Sequence, residues 1–530
     1  MESTEPVAEE NAFPLRRAAL AAALTAILAF ILYALTLQMD FSEGDHAEFQ
    51  LVPYIGGMAH PPGYGLWGIV GKIFLLPFFW LPPATAMNLM TAFFAAAAVG
   101  VVVLLSVLWT RQTTPGILAG MLFATTHIMW DQSTLAEVYT LQTFLILLTL
   151  LLTLAPDIHD VSRPWSWRWA GGITGGLAIG FRPDSLICVI PVLLYTGLRC
   201  RERRDAFRMF GLMALVVAGV VPSLAYCVWA DLGVDHPANL YNLSRPYLQA
   251  AYDQLPPNRS YYSKENADVL LSGAWFRRLI WLFTCEHIRY AYGETGWKEG
   301  IREVKSFFTL TYEQMGWTTL ALAALGAVVR KPGLWRIVLL EAAIVTGYLA
   351  SYAKVGIPGT ECYYLPLWAI LATWTARGLS YLRPVWFRMG LAILLLALVV
   401  VQTFEAYPRY WERRYPEIHA YHVHCVRTLA RTLDSNAVVA SEWGPLNALQ
   451  YSLWVERKRD DVVVASIPIW EATSACELLA PHYPNRPLYV YYGGHFVHEF
   501  RPASATEPAR LVRGIVWDMV FPDPDWDGAR

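Results

Sequence analysis

Long apolar stretches recur along most of this chain, and they restrict it to folds in which helices cross a membrane. The first covers 18–37, directly after Arg16 and Arg17. It is longer than the apolar core of a typical secretory signal and has no small-residue cleavage site behind it, so we predict an uncleaved membrane helix. Only 16% of the residues are charged, against about 25% in ordinary soluble domains. We therefore predict an integral, multi-pass membrane protein.

Ten further apolar segments are long enough, or nearly so, to cross a bilayer. They are 84–108, 116–129, 135–154, 169–181, 185–198, 206–230, 307–329, 334–352, 362–376 and 389–404. With the first, they predict a mainly α-helical bundle of about 11 transmembrane helices. Two other segments, 49–58 and 64–80, are flanked by Pro and Gly and are predicted to be helices lying along the interface.

The basic residues separate the turns between helices into two sets. If the polar tail 1–14 is cytoplasmic, most Lys and Arg fall in inner turns, whereas the short outer turns hold only Arg182 and Lys354. The positive-inside rule then places the loops 38–83 and 231–305 outside, within a transmembrane domain spanning 15–404. The bacterial inner or cell membrane is the expected location.

The last part of the chain, 405–530, has the pattern of a soluble domain. Short apolar strands alternate with helical stretches, which predicts a small extracytoplasmic α/β domain. No Gly-rich phosphate loop occurs there, and a net charge of −2 gives no indication of a nucleic-acid partner. Cys425 and Cys476 could form a disulfide if this domain faces an oxidising compartment.

An acidic stretch follows the first apolar segment. Residues 40–48 contain four carboxylates, and the histidines His46 and His60 are close in sequence. Charged groups beside a bilayer are costly and are more often functional than those on a soluble surface. The spacing of Asp45 and Glu48 also fits a helix capping box, and the two roles are compatible because a helix N-terminus favours an ionised carboxylate.

The predicted topology brings polar residues from separate turns to one depth on the outer side. They are Asp45, Glu48, Asp131, Glu137, Arg182, Asp184, Lys354 and Glu361. A lipid phosphate lies at this depth, where Arg182 or Lys354 could neutralise it and a carboxylate could take a proton from an acceptor hydroxyl. Local structural roles remain alternatives: an Arg182–Asp184 ion pair, a helix cap for Asp131 and a hydrogen-bonded core carboxylate for Glu137.

Several motifs resemble a known family of membrane proteins, glycosyltransferase family 117, formerly domain of unknown function 2723. The motifs are GDHAEFQLV (44–52), MAHPPGY (58–64), NLMTA (88–92), AEVYTL (136–141), YYLP (363–366), LQY (449–451) and RDDV (459–462). The family belongs to the GT-C class, and eukaryotic relatives resemble protein O-mannosyltransferases.

The resemblance implies a GT-C-like fold and transfer of a sugar from a polyprenyl-phosphate donor to an acceptor hydroxyl outside the membrane, with inversion. Asp45 would be the base or the carboxylate that positions the acceptor, with Glu48 as its partner. The predicted topology, rather than the resemblance, assigns the donor phosphate to Arg182 and Lys354. The residues expected to line the substrate site are His46, His60, Tyr64, Asp131, Glu137, Tyr139, Asp184 and Tyr363. The acceptor would be a protein or a glycan.

The sequence is also compatible with two other classes of function and with a divalent metal cofactor. A transporter or flippase for lipid-linked glycans would also need a membrane bundle, and a non-catalytic scaffold could use the soluble domain to hold a partner. The carboxylates of Asp45, Glu48, Asp131 and Glu137 could together bind Mg²⁺ or Mn²⁺, which prefer oxygen ligands.

Overall fold

A computed structural model describes most of the chain. The described residues are 15–159, 163–232, 240–257, 261–285, 297–328, 335–352, 360–414, 417–493, 497–501 and 510–513. Lys354 and the predicted cytoplasmic tail 1–14 lie outside them.

Helices dominate the part of the chain that precedes the soluble domain. They are α1 (Leu15–Leu35), α2 (Gly44–Ile55), α3 (Gly65–Leu75), α4 (Pro83–Thr110), α5 (Thr113–Ala124), α6 (His127–Thr134), α7 (Tyr139–Ile158), α8 (Pro164–Phe181), α9 (Leu186–Gly197), α10 (Arg203–Leu232), α11 (Leu240–Ala250), α12 (Lys264–Leu270), α13 (Trp275–Phe283), α14 (Trp297–Val328), α15 (Trp335–Tyr352), α16 (Leu365–Tyr381) and α17 (Val385–Arg414).

Segment 116–129 is divided between α5 and α6, and each of the other apolar segments singled out in the sequence corresponds to one of these helices. By length and composition, five of the described helices could cross a membrane, namely α1, α4, α7, α10 and α17, and shorter apolar helices accompany them. The mainly helical, multi-pass class is confirmed, whereas the number of crossings stays a prediction.

Helix α4 lies at the centre of the bundle. Its inward positions are small or β-branched, such as Ala95, Ala98, Val99 and Val102, all fully buried. Small side chains let neighbouring helix backbones approach closely, which is how helices associate where no hydrophobic force favours their contact. The bundle can therefore hold the outer helix ends in fixed positions.

The segment 38–83, which connects α1 to α4, carries α2 and α3, and a tight turn joins these two helices. Gly63 adopts a positive φ of 86°, which glycine tolerates best. A Cβ atom on Gly65 would lie 2.2 Å from the carbonyl oxygen of Ser223 in α10, so only glycine fits there. Trp67 also donates its indole N–H to the Phe49 carbonyl at 2.9 Å. These contacts fix the loop that holds His60 against the bundle.

The C-terminal domain is a mixed sheet with helices around it. Its elements are α18 (Glu417–Thr432), β1 (Val438–Ser441), α19 (Trp443–Gln450), β2 (Val463–Ser466), α20 (Ala472–Leu479), β3 (Leu488–Tyr491), β4 (Val497–Arg501) and β5 (Arg510–Arg513). The strand order is β2-β1-β3-β4-β5. Strand β1 is parallel to β2 and β3, and the β3–β4 and β4–β5 pairs are antiparallel. Neither Cys425 nor Cys476 is in a disulfide.

The soluble domain packs directly on the first outer loop. Apolar side chains of the loop, such as Phe41 and Leu51, share one buried cluster with Val426 and Leu446 of the domain. The Arg427 guanidinium makes two hydrogen bonds of 2.9 Å to the Asp40 carboxylate. The domain therefore helps to hold the loop that carries Asp45.

Replacing Arg427 by methionine should weaken this docking. Methionine keeps much of the side-chain volume but removes the charge between Asp40 and Glu456, which also contacts Arg427, at 2.6 Å. Because the guanidinium is about one third exposed, water screens part of the interaction and we expect a loss of about 1 kcal/mol in the free energy of unfolding. Thermal unfolding measures it, with exposed Arg457→Met as the control. Equal midpoints for the two variants would contradict the docking role.

Candidate active site

A cavity of about 1060 Å³ lies between one end of the helix bundle and the C-terminal domain. Its membrane-side wall includes Asp45, His60, Tyr64, Arg182, Asp184, Tyr352 and Tyr363. Its opposite wall includes Tyr261, Tyr262, Glu442, Trp443, Ser466, Ile467 and Trp470. Residues 442–443 and 467 directly follow the carboxyl ends of the parallel strands β1 and β2, which is where sheets of this kind place ligand sites.

Arg182 is a buried cation in the wall of this cavity. Its side chain is 8% exposed, and its guanidinium lies over the rings of Tyr139 and Tyr363, 4.8 and 4.6 Å from their centres. Its Nη1 atom is buried and has no hydrogen-bond partner among the residues that the structure describes. A buried charged donor without a partner is costly, so this atom is suited to bind an anion that enters the cavity.

Asp184 fixes the position of Arg182. Its Oδ2 lies 3.4 Å from Arg182 Nη2 and accepts a hydrogen bond from the Tyr352 hydroxyl, while Oδ1 accepts one of 2.7 Å from Gln142. The Asp184 carboxylate is thus already hydrogen-bonded from α7 and α15. The local ion pair that the sequence suggested exists, and it leaves the Nη1 atom of the guanidinium for a ligand.

The four carboxylates of 40–48, which we call the acidic loop, differ in their partners. Asp40 binds Arg427 at 2.9 Å, Glu43 lies 3.0 Å from His422, and Glu48 lies 2.5 Å from His60. For Asp45, the only cationic nitrogen within 4.0 Å among the described residues is His60 Nε2, at 3.8 Å. Asp45 is 40% exposed, whereas Glu48 is 5% exposed.

Helix α2 explains this difference. It begins at Gly44 without a side-chain cap hydrogen bond, so neither Asp45 nor Glu48 acts as the predicted cap. One helical turn separates the two residues, which places them on one face at different depths. Glu48 points into the protein, where Oε1 accepts the His60 backbone N–H at 2.9 Å and Oε2 contacts Nδ1 at 2.5 Å.

A second imidazole–carboxylate pair lies beside the first. His46 Nδ1 is 2.9 Å from Oε1 of Glu137, whose side chain is 7% exposed. Glu137 is therefore a buried, paired carboxylate, as the structural alternative proposed. His46, Glu48, Glu137 and Tyr139 lie behind the cavity wall rather than among its lining residues.

The carboxylates raise the pKa of both histidines. Burial alone would lower the pKa of His60, but Glu48 and Asp45 outweigh burial and raise it to about 9. Glu137 likewise outweighs burial and raises the pKa of His46 to about 9. Burial also raises the pKa of the Glu48 carboxyl despite the opposing effect of His60, so the net gain from that pair is smaller than the His60 shift alone implies.

These shifts predict how stability depends on pH. A histidine whose pKa is raised by folding stabilises the protein fully below its unfolded pKa of about 6.5 and loses that contribution as pH rises through the folded value. We expect the thermal midpoint to fall between pH about 6.5 and 9, with a total loss of about 1–3 kcal/mol. A double His46→Gln, His60→Gln variant should flatten this slope. An unchanged slope in that variant would contradict the assignment.

The four carboxylates that the sequence offered as a possible metal site are not grouped as one among the described residues. Glu48 and Glu137 each pair with a histidine, and Asp131 lies on α6 outside the cavity lining. Among the described residues, no group of three or more His, Cys, Asp or Glu is arranged to hold a metal ion. A divalent cofactor stays a prediction, without a ligand set in the described part of the chain.

Sequence reasoning missed the wall contributed by the soluble domain. Trp443 packs edge-on against the His60 ring, with centres 5.1 Å apart, and Tyr262 hydrogen-bonds Ser466 at 2.8 Å. The signal was present, because Trp443 comes just after an apolar strand, at the end where α/β sheets bind ligands. The positions of the Tyr261 and Tyr262 rings had no comparable sequence signal.

Part of the chain, 45–206, is similar to known proteins. Residues 45–206 match the family described as "Protein O-mannosyl-transferase TMEM260 N-terminal domain". The mouse protein O-mannosyl-transferase TMEM260 is 27% identical over 174 residues, covering 32% of this chain and 25% of that protein. The Dictyostelium discoideum protein of the same name is 27% identical over 124 residues, covering 23% and 15%. The chain thus spans a quarter or less of these relatives, and the family resemblance is confirmed for this region.

Solved structures with the same architecture confirm the fold. ArnT from Cupriavidus metallidurans bound to undecaprenyl phosphate superimposes with a TM-score of 0.55 at 13% identity, covering 89% of this chain and 92% of that one. ArnT in the apo state gives 0.50 at 11% identity, with the same coverage. The chain therefore has a GT-C-like membrane bundle with a small C-terminal sheet domain.

Proposed function

We propose that this protein is a membrane glycosyltransferase that moves a sugar from a polyprenyl-phosphate donor to an acceptor hydroxyl on the outer side of the membrane. The observation that carries the proposal is that Asp45 and Arg182 line one cavity. A carboxylate and a phosphate-binding cation in one cavity are the two groups that such a transfer needs from the protein.

Arg182 is the proposed site of the donor phosphate. Its unpartnered Nη1 can donate to a phosphate oxygen, while Asp184 and the two tyrosine rings keep the guanidinium in place. Arg matches phosphate geometry well and stays charged at all relevant pH values. As the sugar leaves, negative charge grows on the phosphate and this interaction strengthens, which lowers the barrier. Lys354, outside the described residues, remains a second candidate for the same role.

Asp45 is the proposed general base. Asp45 and Glu48 share one face of α2, and Asp45 is the more exposed of these two carboxylates. Asp45 also borders the cavity. It would take the proton of the acceptor hydroxyl as the oxygen attacks the anomeric carbon from the side opposite the phosphate, which inverts that centre. Tyr64 lines the cavity and interacts electrostatically with both Asp45 and Arg182. In the proposed complex, Tyr64 would contact the sugar between these two residues, and Tyr363 would lie beside the phosphate.

The acceptor is proposed to enter along the wall built by the soluble domain. Trp443, Trp470 and Tyr262 offer aromatic surface there, and Glu442 offers a hydrogen-bond acceptor. The names of the relatives, protein O-mannosyl-transferases, support a protein hydroxyl as the acceptor and mannose as the sugar, and a glycan hydroxyl is the alternative. The soluble domain would then complete the site rather than serve as a separate scaffold.

The test is a transfer assay with purified protein in liposomes. Radiolabelled mannosyl phosphoryl polyprenol is supplied together with envelope proteins and glycans as acceptors, and product is separated from lipid. We expect label in a new glycosidic bond. Movement of the labelled lipid between leaflets without any glycosidic product would instead establish the flippase alternative.

A further inference from the structure

The histidines of the site compensate carboxylates that would otherwise repel one another. Asp45, Glu48 and Glu137 act electrostatically on the same imidazole, that of His60. Three carboxylates this close cannot all ionise unless cations neutralise some of them. His60 contacts Glu48 at 2.5 Å and His46 contacts Glu137 at 2.9 Å. With both imidazoles protonated, these five residues, the charge cluster, carry one net negative charge.

We propose that His60 and His46 are positioning residues which neutralise Glu48 and Glu137, so that Asp45 is the one uncompensated carboxylate of the charge cluster. The inference rests on the proposed function, in which Asp45 must be ionised to accept a proton. It assigns Glu48 a role through His60 rather than direct contact with substrate. This agrees with its burial and with its position behind the cavity wall.

The His60 ring is held for this role from several sides. Phe49 and Tyr64 lie 5.5 and 5.2 Å from its centre, and Trp443 of the soluble domain lies 5.1 Å away on an edge-to-face contact. With Nδ1 fixed on Glu48, the ring can present only Nε2 to Asp45, at 3.8 Å. That distance is too long for a hydrogen bond. The positive charge of His60 therefore acts on Asp45 electrostatically, but no hydrogen bond joins the two side chains.

Other charged groups around the charge cluster are few among the described residues. Arg182, its partner Asp184, and Glu442 border the same cavity, Arg182 acts on Tyr64, and Glu48 acts on Tyr261. The direction of the histidine shifts agrees with the proposal, because both imidazoles take up a proton more readily than an isolated one. Losing either imidazolium would leave a surplus negative charge that a proton must neutralise.

The decisive comparison is between a single and a charge-balanced double variant. His60→Gln removes the cation, and an opposite charge this close shifts a carboxylate equilibrium by about 1–2 pH units. A shift of this size protonates a carboxylate only at acidic pH, so the transfer rate should fall about 2- to 10-fold at pH about 5 and stay close to the wild-type rate above neutral pH. The loss should shrink as pH rises. Adding Glu48→Gln restores the original net charge and should recover most of the rate that is lost at pH about 5.

A merely structural role for the pair predicts the opposite pattern. The double variant would then be as slow as the single variant or slower, and the rate loss would be equal at every pH. Either result overturns the proposal. The second pair allows the same comparison between His46→Gln and the double variant His46→Gln, Glu137→Gln. This second comparison tests the proposal if His60→Gln does not fold.

The same assay separates this inference from the proposed function. Wild type and Asp45→Asn are measured in parallel with the histidine variants. If transfer does not depend on Asp45, the proposed function fails. If transfer depends on Asp45 but the double variant recovers nothing, only the charge compensation fails.

Discussion

Replacing Asp45 by asparagine should lower the rate of sugar transfer by about 10²–10⁴-fold, the range that a general base contributes. Asparagine has nearly the same shape but cannot accept the proton of the acceptor hydroxyl. Because Asp45 is partly exposed and forms no short ion pair, the substitution should leave folding and donor binding almost unchanged. Single-turnover kinetics with saturating labelled donor measure the effect on the chemical step.

Asp131→Asn is the matched control for this variant. Asp131 was predicted at the same depth on the same side, but it lies on α6 outside the cavity lining. We expect it to transfer sugar at close to the wild-type rate. Transfer by Asp45→Asn at the wild-type rate, or an equal loss in the two variants, would rule out Asp45 as the base.

Replacing Arg182 by glutamine should lower kcat/KM for the donor about 10²-fold or more, the usual effect of removing one group that stabilises charge in a transition state. The substitution removes the cation that faces the cavity. Asp184 keeps its hydrogen bonds from Gln142 and Tyr352, so the turn retains much of its support. Steady-state kinetics at varied donor concentration measure the loss, and binding of polyprenyl phosphate alone should weaken in parallel.

Arg182→Lys tests the geometry separately from the charge. Lysine keeps a cation but cannot lie flat over Tyr139 and Tyr363 as the guanidinium does, so we expect an intermediate rate. Arg111→Gln, at the exposed opposite end of α4, is the control for loss of a positive charge. If Arg182→Gln binds polyprenyl phosphate as tightly as this control, Arg182 is not the phosphate site.

Hydrophobic patterning predicted the membrane bundle well because the bilayer imposes one simple requirement on each crossing helix. Segments such as 84–108 and 206–230 are apolar over their whole length and appear as α4 and α10. In the C-terminal domain, the short apolar runs 437–440, 462–465 and 488–492 predict β1 to β3 to within one residue at each end. Strand β4 (Val497–Arg501) was missed, since only two of its five residues are buried and its apolar signal is correspondingly weak.

The site was predictable where topology alone decided it. The positive-inside rule and helix order placed Asp45, Arg182 and Tyr363 on one side, and the structure brings all three to one cavity. Sequence could not separate Asp45 from Glu48, because their spacing gives the same helix face, and only packing determines that Glu48 points to His60. It also could not predict that Arg427 and His422, nearly 400 residues away, neutralise Asp40 and Glu43.

The central claim is that one cavity holds the donor phosphate at Arg182 and the sugar beside Asp45. An experimental structure of the protein with a non-hydrolysable phosphonate analogue of a polyprenyl-phosphate sugar tests it most directly. We expect the phosphonate within hydrogen-bond distance of Arg182 Nη1 and the anomeric carbon between it and the Asp45 carboxylate. An analogue bound elsewhere, or an Asp45 carboxylate on the cytoplasmic side of the membrane, would contradict the account.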